Sequence, residues 1–285
     1  MKKINVLLIA LICGVPTVAW GQQNPFAPVQ GKWETVGKNV ELNYHNSDYC
    51  DYYLLSSRNK ELWLRTGNNN LLRIPKEHAA KYRNDPSFLP STFITFKGYF
   101  PDKLNPDFLY SLPVKTGDSV QYQIDIKKHS LTYLFTMNAL DTVYAVRGGV
   151  VCKNNDQGLL DKEKTLETKG ALLIYHADCT FALYDNLLLK FVREGENIKV
   201  GQPVGILSTK KPLSIAFFFL DKNKFADGNR RGVPHSHFNP IFHTTTGNIK
   251  LKENITYTNE WSDELITQEM SKAEKKKYEK EKLKP

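Results

Sequence analysis

The chain has 285 residues, 41% of them hydrophobic and 12% aromatic, which excludes a wholly disordered protein and leaves room for two modest domains or one large one. Its formal charge is +9, but two of those charges are Lys2 and Lys3. A net four more lie in 272–285, where seven lysines face three glutamates, so the body between carries about +3. That is too dilute for nucleic-acid recognition, which needs a concentrated basic face; an anionic envelope surface or plain solubility accounts for it.

Residues 1–21 read as an export signal. Lys2 and Lys3 precede an apolar stretch over 4–18 that is short for a membrane span, and Ala19-Trp20-Gly21 places small residues where a signal peptidase reads. The mature chain is expected to begin at Gln22, in the periplasm or outside the cell. Ile12 before Cys13 is too bulky for a lipidated cysteine. No later apolar run is long enough to span a bilayer, so no transmembrane segment is expected after cleavage; the longest, Leu213–Leu220, has the length of a buried strand.

Beyond the leader, short alternating or continuous apolar runs are separated by Gly, Asn, Asp and Pro, the pattern of an all-β protein. Strands are expected at 40–44, 51–55, 61–65 and 93–96, a turn at Asn68-Asn69-Asn70, and one or two helical turns at 75–82. This block, 22–107, fits a small β-sandwich of the immunoglobulin-like kind without that fold's cysteine pair. A second block follows over 108–261. In it 143–151 reads as one strand with a bulge at Gly148-Gly149. Residues 171–176 and 180–184 read as a hairpin, 187–192 as the next strand, and 193–205 as two glycine turns around a short strand. A polar insertion lies between 151 and 170, and from Ser262 to the end a Lys/Glu-rich tail reads as a solvated helix or a disordered arm. Three cysteines remain after the leader, Cys50, Cys152 and Cys179, and in an oxidising compartment a Cys152–Cys179 bridge and buried thiols are both open.

Several short patterns in the second block occur in an order that resembles the M23 (LytM, lysostaphin-like) zinc peptidases of peptidoglycan. They are Tyr110-Ser111-Leu112-Pro113-Val114 before Gly117, Val143-Tyr144-Ala145 before Gly149-Val150-Val151, Leu173-Ile174-Tyr175-His176 before Phe181-Ala182-Leu183-Tyr184, and the double-glycine run from Val192 to Gly205. The likeness spans about 108–258, and the first block looks like the β-domain that precedes M23 in some exported proteins. The double-glycine run also occurs in lipoyl and biotinyl domains, but no lysine beside Met follows here.

The resemblance implies an antiparallel β-sheet domain of M23/LytM type and one zinc held by a His, an Asp and the second His of a His-x-His strand. Such a set leaves the fourth zinc position for a water whose pKa the metal lowers. Alternate residues of a strand face one side, which is what makes His-x-His work. On that template His129 falls at the first ligand, with no carboxylate at 134–136. Asn186, in Tyr184-Asp185-Asn186-Leu187, falls at an assisting histidine, and Ser214 and Ala216 fall at the two positions of the His-x-His. The expectation is a degenerate, non-catalytic member with no metal and no cofactor. Its former groove, lined by His129, Asn186, Ser214 and Ala216, would bind peptidoglycan or envelope hydrolases, unless a covering loop such as 222–240 fills it. The alternative is a divergent zinc endopeptidase using His235 and His237 of Pro234-His235-Ser236-His237-Phe238, expected in a loop, with His129, His243 or Asp178 as the third ligand. A third possibility is a structural domain without ligand.

Overall fold

The computed structural model describes residues 27–56, 60–85, 87–90, 93–101, 104–105, 107–127, 130–153, 171–209, 211–226 and 234–283. The leader, His129 and most of the polar insertion therefore lie outside the described residues. The fold is all-β, with short helices near residue 80, before Pro234 and at the C-terminal end. No helix among the described residues is long and apolar enough to cross a membrane.

The first block forms two small antiparallel sheets. One contains β1 (Val29–Val36), β2 (Asn39–Asn46) and β5 (Gly67–Pro75), in the order β1-β2-β5; the other contains β3 (Tyr52–Ser56), β4 (Glu61–Leu64) and β6 (Phe93–Lys97), in the order β4-β3-β6. The strands expected at 40–44, 51–55, 61–65 and 93–96 are all present. Among the described residues this block has six strands in two sheets, which does not confirm the immunoglobulin-like arrangement. Asn68-Asn69-Asn70 is not a turn but part of β5, opposite His45, Tyr44 and Asn43. Cross-strand side-chain bonds hold it there, Asn70 Nδ2 to Asn43 Oδ1 at 2.7 Å and His45 Nδ1 with Asn68 Oδ1 at 2.8 Å. The bend falls just before it, at Thr66, and Gly67 opens β5 with a φ of 88° that suits a residue without a Cβ. A short helix, α1 (Ala79–Arg83), follows a 3-10 turn at Lys76–His78, as the 75–82 pattern suggests.

The second block is built on a nine-stranded sheet. Its strands are β8 (Ser119–Lys127), β9 (Ser130–Thr136), β11 (Gly149–Cys152), β12 (Leu172–Tyr175), β13 (Thr180–Asp185), β15 (Asn197–Ile198), β17 (Leu213–Leu220), β18 (His235–His237) and β21 (Thr256–Thr258). They run in the order β15-β11-β12-β13-β17-β9-β8-β21, with β18 on the remaining length of β17. Two three-stranded sheets complete the block. In one, β16 (Pro203–Leu207) lies between β10 (Thr142–Tyr144) and β14 (Leu187–Lys190); in the other, β19 (Ile241–Thr244) lies between β7 (Leu109–Tyr110) and β20 (Gly247–Ile249). Every ladder is antiparallel except that of β7 with β19. Between β17 and β18 lies α2 (Asn223–Ala226), and the chain ends in α3 (Asp263–Thr267) and α4 (Lys272–Lys282). Ser271 and Glu274 form a reciprocal capping box on α4, so the Lys/Glu tail is helical where it is described.

Residues 143–151 do not form one bulged strand. They leave one sheet and enter another, β10 pairing with β16 and β11 with β12 and β15. The crossing is fixed by Ala145 N–H on Gln202 O at 2.8 Å and Val146 N–H on the Tyr184 hydroxyl at 2.8 Å. Gly149 is needed at the crossing, because a Cβ there would come within 2.5 Å of the Tyr175 carbonyl oxygen.

β17 separates two cores. Leu213, Ile215 and Phe217 enter a cluster between the main sheet and its flanking strands, with Tyr110, Phe135, Tyr184 and Phe242. Ala216 and Phe218 face the other way, into a cluster that also contains Leu173 and Phe181 from the main sheet and Leu42, Tyr52, Leu54 and Leu64 from the first block. The period of two gives one strand two hydrophobic faces. Both blocks therefore share one interior.

Candidate functional site

The sheet face that the M23 template assigns to chemistry is the face of Ala216. Ser214 pairs with Asp185 and with Leu134 across the sheet, and Ala216 pairs with Leu183 and Thr132. Ala216 is 7% exposed, packed in the cluster shared with the first block, whereas Ser214 at the end of the strand is half-buried. The covering elements are strands of the first block rather than the 222–240 segment alone. Asn186 sits one residue past β13 with φ 71°, its Nδ2 donating to Pro212 O at 2.8 Å and its carbonyl accepting from Ser208 N at 2.8 Å. These contacts are those of an asparagine closing a left-handed turn. His129 lies outside the described residues.

His235 and His237 are not in a loop. They form β18, antiparallel to the end of β17, with His237 opposite Phe218 and His235 opposite Leu220. Cross-strand partners share a face, so this His-x-His lies on the same side of the sheet as Ala216 and Phe218. The ladder is reinforced by Ser236 Oγ donating to Asp221 Oδ2 at 2.6 Å and Asp221 N donating to Pro234 O at 2.9 Å. His235 is buried against Phe218, ring centroids 5.3 Å apart, and neither ring nitrogen reaches a partner at full hydrogen-bond geometry. Burial pushes its pKa down to about 4, against the pull of the Lys97 backbone, and His237 is lowered for the same first reason. Both rings are neutral at pH 7, the form that can ligate a metal.

Of the other proposed ligands, His243 and Asp178 are engaged elsewhere. His243 Nδ1 meets Asn248 Oδ1 at 2.6 Å. Asp178 belongs to a buried network around Arg147, which sequence reasoning missed. The Arg147 side chain is fully buried, with Nη1 donating to Asp178 Oδ2 at 2.9 Å and to the Tyr110 hydroxyl at 3.0 Å. Its Nε donates to Glu269 Oε1 at 2.9 Å, and the Phe108 ring lies 3.7 Å from the guanidinium carbon. Burial alone would raise the Asp178 pKa, but Arg147 and Thr180 hold it below the ordinary range, while for Glu269 burial wins and the pKa is raised. His176 stands beside them, 1% exposed, donating through Nδ1 to the Gly148 carbonyl at 2.6 Å. Burial and then the Arg147 charge keep this ring neutral. A groove of about 780 Å³ opens here, lined by Gly148, His176, Trp261, Glu269, Met270 and Tyr278 among others.

One cluster of three metal-capable side chains occurs among the described residues. It is Asp48, Cys50 and Cys152, all buried, with ligand atoms within 4.8 Å of one another. His235 and His237 belong to no such set. The sequence carried only a weak signal for the cluster, three cysteines for which a Cys152–Cys179 bridge and buried thiols were both open.

No family model and no curated protein matches the chain. Among solved structures, the lysostaphin catalytic domain of Staphylococcus simulans aligns at 18% identity and TM-score 0.24, over 36% of this chain and 79% of its own. A mutant catalytic domain of the prophage-encoded M23 protein EnpA of Enterococcus faecalis aligns at 17% identity and TM-score 0.24, over 41% and 85%. Csd3 of Helicobacter pylori aligns at 13% identity and TM-score 0.30, over 90% and 77%. At these identities and scores the likeness carries no argument about activity.

Proposed function

We propose that the protein is an exported envelope protein whose second block is a degenerate, non-catalytic M23-type domain that binds peptidoglycan or regulates wall hydrolases. One observation supports the reading: β15, β11, β12, β13 and β17, which carry the Gly-Val-Val, Tyr-His and Phe-Ala-Leu-Tyr patterns and part of the double-glycine run, are neighbours in one sheet, and the template aligns Asn186, Ser214 and Ala216 with positions where zinc chemistry needs histidines. A methyl side chain cannot ligate a metal, and losing several ligands together removes the ion rather than weakening its binding. With Ala216 packed under the first block, peptidoglycan or a hydrolase is met on surface outside that contact.

The experiment is sedimentation of the purified protein with insoluble peptidoglycan, alongside metal analysis and a wall-lysis assay with and without an added M23 hydrolase. Retention on peptidoglycan or altered hydrolase activity is expected, with no stoichiometric zinc and no lysis by the protein alone. The absence of both retention and any effect on the hydrolase would sink the proposal.

A second reading is favoured by β18, whose two neutral histidines share the face of Ala216. There the protein is a divergent zinc endopeptidase, with His129, His243 or Asp178 as the third ligand. About one zinc per chain, lost in both His235→Ala and His237→Ala but kept in Ser214→Ala, would decide for it.

A further inference from the structure

Cys50 and Cys152 are 102 positions apart in sequence and belong to different blocks, yet their thiol sulfurs lie within 4.8 Å of each other in the shared interior, 1% and 2% exposed. The approach is held from both sides. Asn46 Nδ2 donates to Cys50 O at 2.8 Å, fixing the turn before β3, and Lys153 N donates to Asp48 Oδ1 at 2.9 Å, tying the end of β11 to that same turn. Lys97 bonds the Lys153 carbonyl and pairs with Asp48 at 3.1 Å, adding a charged clamp.

The three-residue cluster does not suit a metal. Asp48 Oδ1 already accepts from Tyr49 N at 2.7 Å and Lys153 N at 2.9 Å, and Oδ2 accepts from the Tyr52 hydroxyl at 2.9 Å and meets the Lys97 ammonium. Both carboxylate oxygens are occupied, and a cation would sit beside a fixed positive charge. The two sulfurs are what remains. Cys179 is not a competing partner for Cys152: the register places Cys152 opposite Leu173, whereas Cys179 lies in the turn beyond Tyr175, at the other end of β12. At about 3.3 Å per residue that separation exceeds the reach of a disulfide.

We propose that Cys50 and Cys152 form a disulfide that staples the first block across the face of the main sheet carrying Ala216 and Phe218. The donor is a low-molecular-weight disulfide. The Cys50 thiolate attacks one donor sulfur, forming a mixed disulfide and expelling one donor thiol; the Cys152 sulfur then attacks Cys50 Sγ and expels the second. Two protein thiols are oxidised, the donor disulfide is reduced by two electrons, and the two protons leave on its thiols. Burial raises the Cys50 pKa well above its ordinary value, with the neighbouring Cys152 adding to it, so the folded thiols exchange slowly and closure belongs to folding, before the interior is sealed. How fully the bond is formed in the cell rests on the export reading; its formation in the purified protein does not.

The test refolds the purified protein in a mixture of reduced and oxidised glutathione, blocks free thiols with iodoacetamide in denaturant, and maps the peptides by mass spectrometry. A linked Cys50–Cys152 pair is expected, with Cys179 carrying the alkyl group and Cys179→Ser leaving the bond intact. Reduction should lower the thermal midpoint by on the order of 10 °C, the effect of reopening a loop of about 100 residues. A Cys50→Ala, Cys152→Ala double variant should show no such response. Alkylation of both cysteines in the refolded wild type, a bond that uses Cys179, or a zinc equivalent lost in Cys152→Ala would each overturn the assignment.

Discussion

At the scale of single residues, the buried ionisable side chains set how stability responds to pH. His235 has a folded pKa pushed down to about 4, whereas in the unfolded chain it titrates near 6.5. Between those values the unfolded state binds more protons than the folded one, so stability from this residue is complete above pH 6.5 and falls as pH drops toward 4. The shift corresponds to about 3 kcal/mol, and His176, lowered by burial and Arg147, acts in the same direction. Urea midpoints from pH 7 to pH 4 should therefore decline, and His235→Phe should flatten part of that decline; an equally steep curve in the variant would contradict the assignment. Arg147 is the second sensitive residue. Arg147→Ala leaves Asp178 and Glu269 without their buried partner and is expected to cost about 3–5 kcal/mol, whereas Arg193→Ala, on an exposed turn, should cost well under 1 kcal/mol in the same denaturation assay.

At the scale of elements, what could be read in advance depended on whether a signal was local. The hairpin at 171–184 and β17 are continuous apolar runs bounded by polar turns, and they fold where they were expected. The hairpin of β8 and β9 was missed, although Val120, Tyr122, Ile124 and Ile126 alternate with polar residues over its first strand. β18 was not readable, because Pro234 looks like a breaker and only pairing with β17 makes a strand of His235–His237. The non-local features left almost no trace. Arg147 meets Glu269 across 122 positions, and the spacing of Cys50 and Cys152 says nothing about their contact. Asn186, Ser214 and Ala216 could be placed by motif order, but the packing over Ala216 depends on the first block and is invisible from β17 alone. The tail helix offers a local test. Ser271→Ala removes the half of the capping box on α4 in which Ser271 Oγ accepts from Glu274 N–H, leaving the Ser271 backbone N–H on Glu274 Oε2, and should cost that exposed helix about 1 kcal/mol. Amide exchange across 272–282 should quicken while the global midpoint stays unchanged; unchanged exchange would mean that the cap contributes nothing.

At the scale of the whole molecule, the shared interior decides how the protein unfolds. Leu42, Tyr52, Leu54 and Leu64 of the first block and Leu173, Phe181, Ala216 and Phe218 of the main sheet belong to one cluster. Neither surface can be exposed without the other, and uncovering so much apolar area is costly at about 25 cal/mol per Å². Two blocks with separate cores could melt in sequence, whereas blocks sharing one core should melt together. A single calorimetric transition is therefore expected, with van't Hoff and calorimetric enthalpies in agreement. Leu54→Ala in the first block and Leu173→Ala in the second should each cost about 2–5 kcal/mol and move that same transition, since both side chains are fully buried. The disulfide does not create this coupling: the reduced Cys50→Ala, Cys152→Ala protein should also melt in one step, at lower temperature. Ala216→Trp provides the sharpest probe, because an indole cannot fit under the first block without pushing it off the sheet. It should lower the midpoint and expose dye-binding apolar surface, and two resolved transitions in this variant but one in wild type would show that the contact over Ala216 joins the two halves. Two transitions in the wild type would instead show that the blocks fold independently.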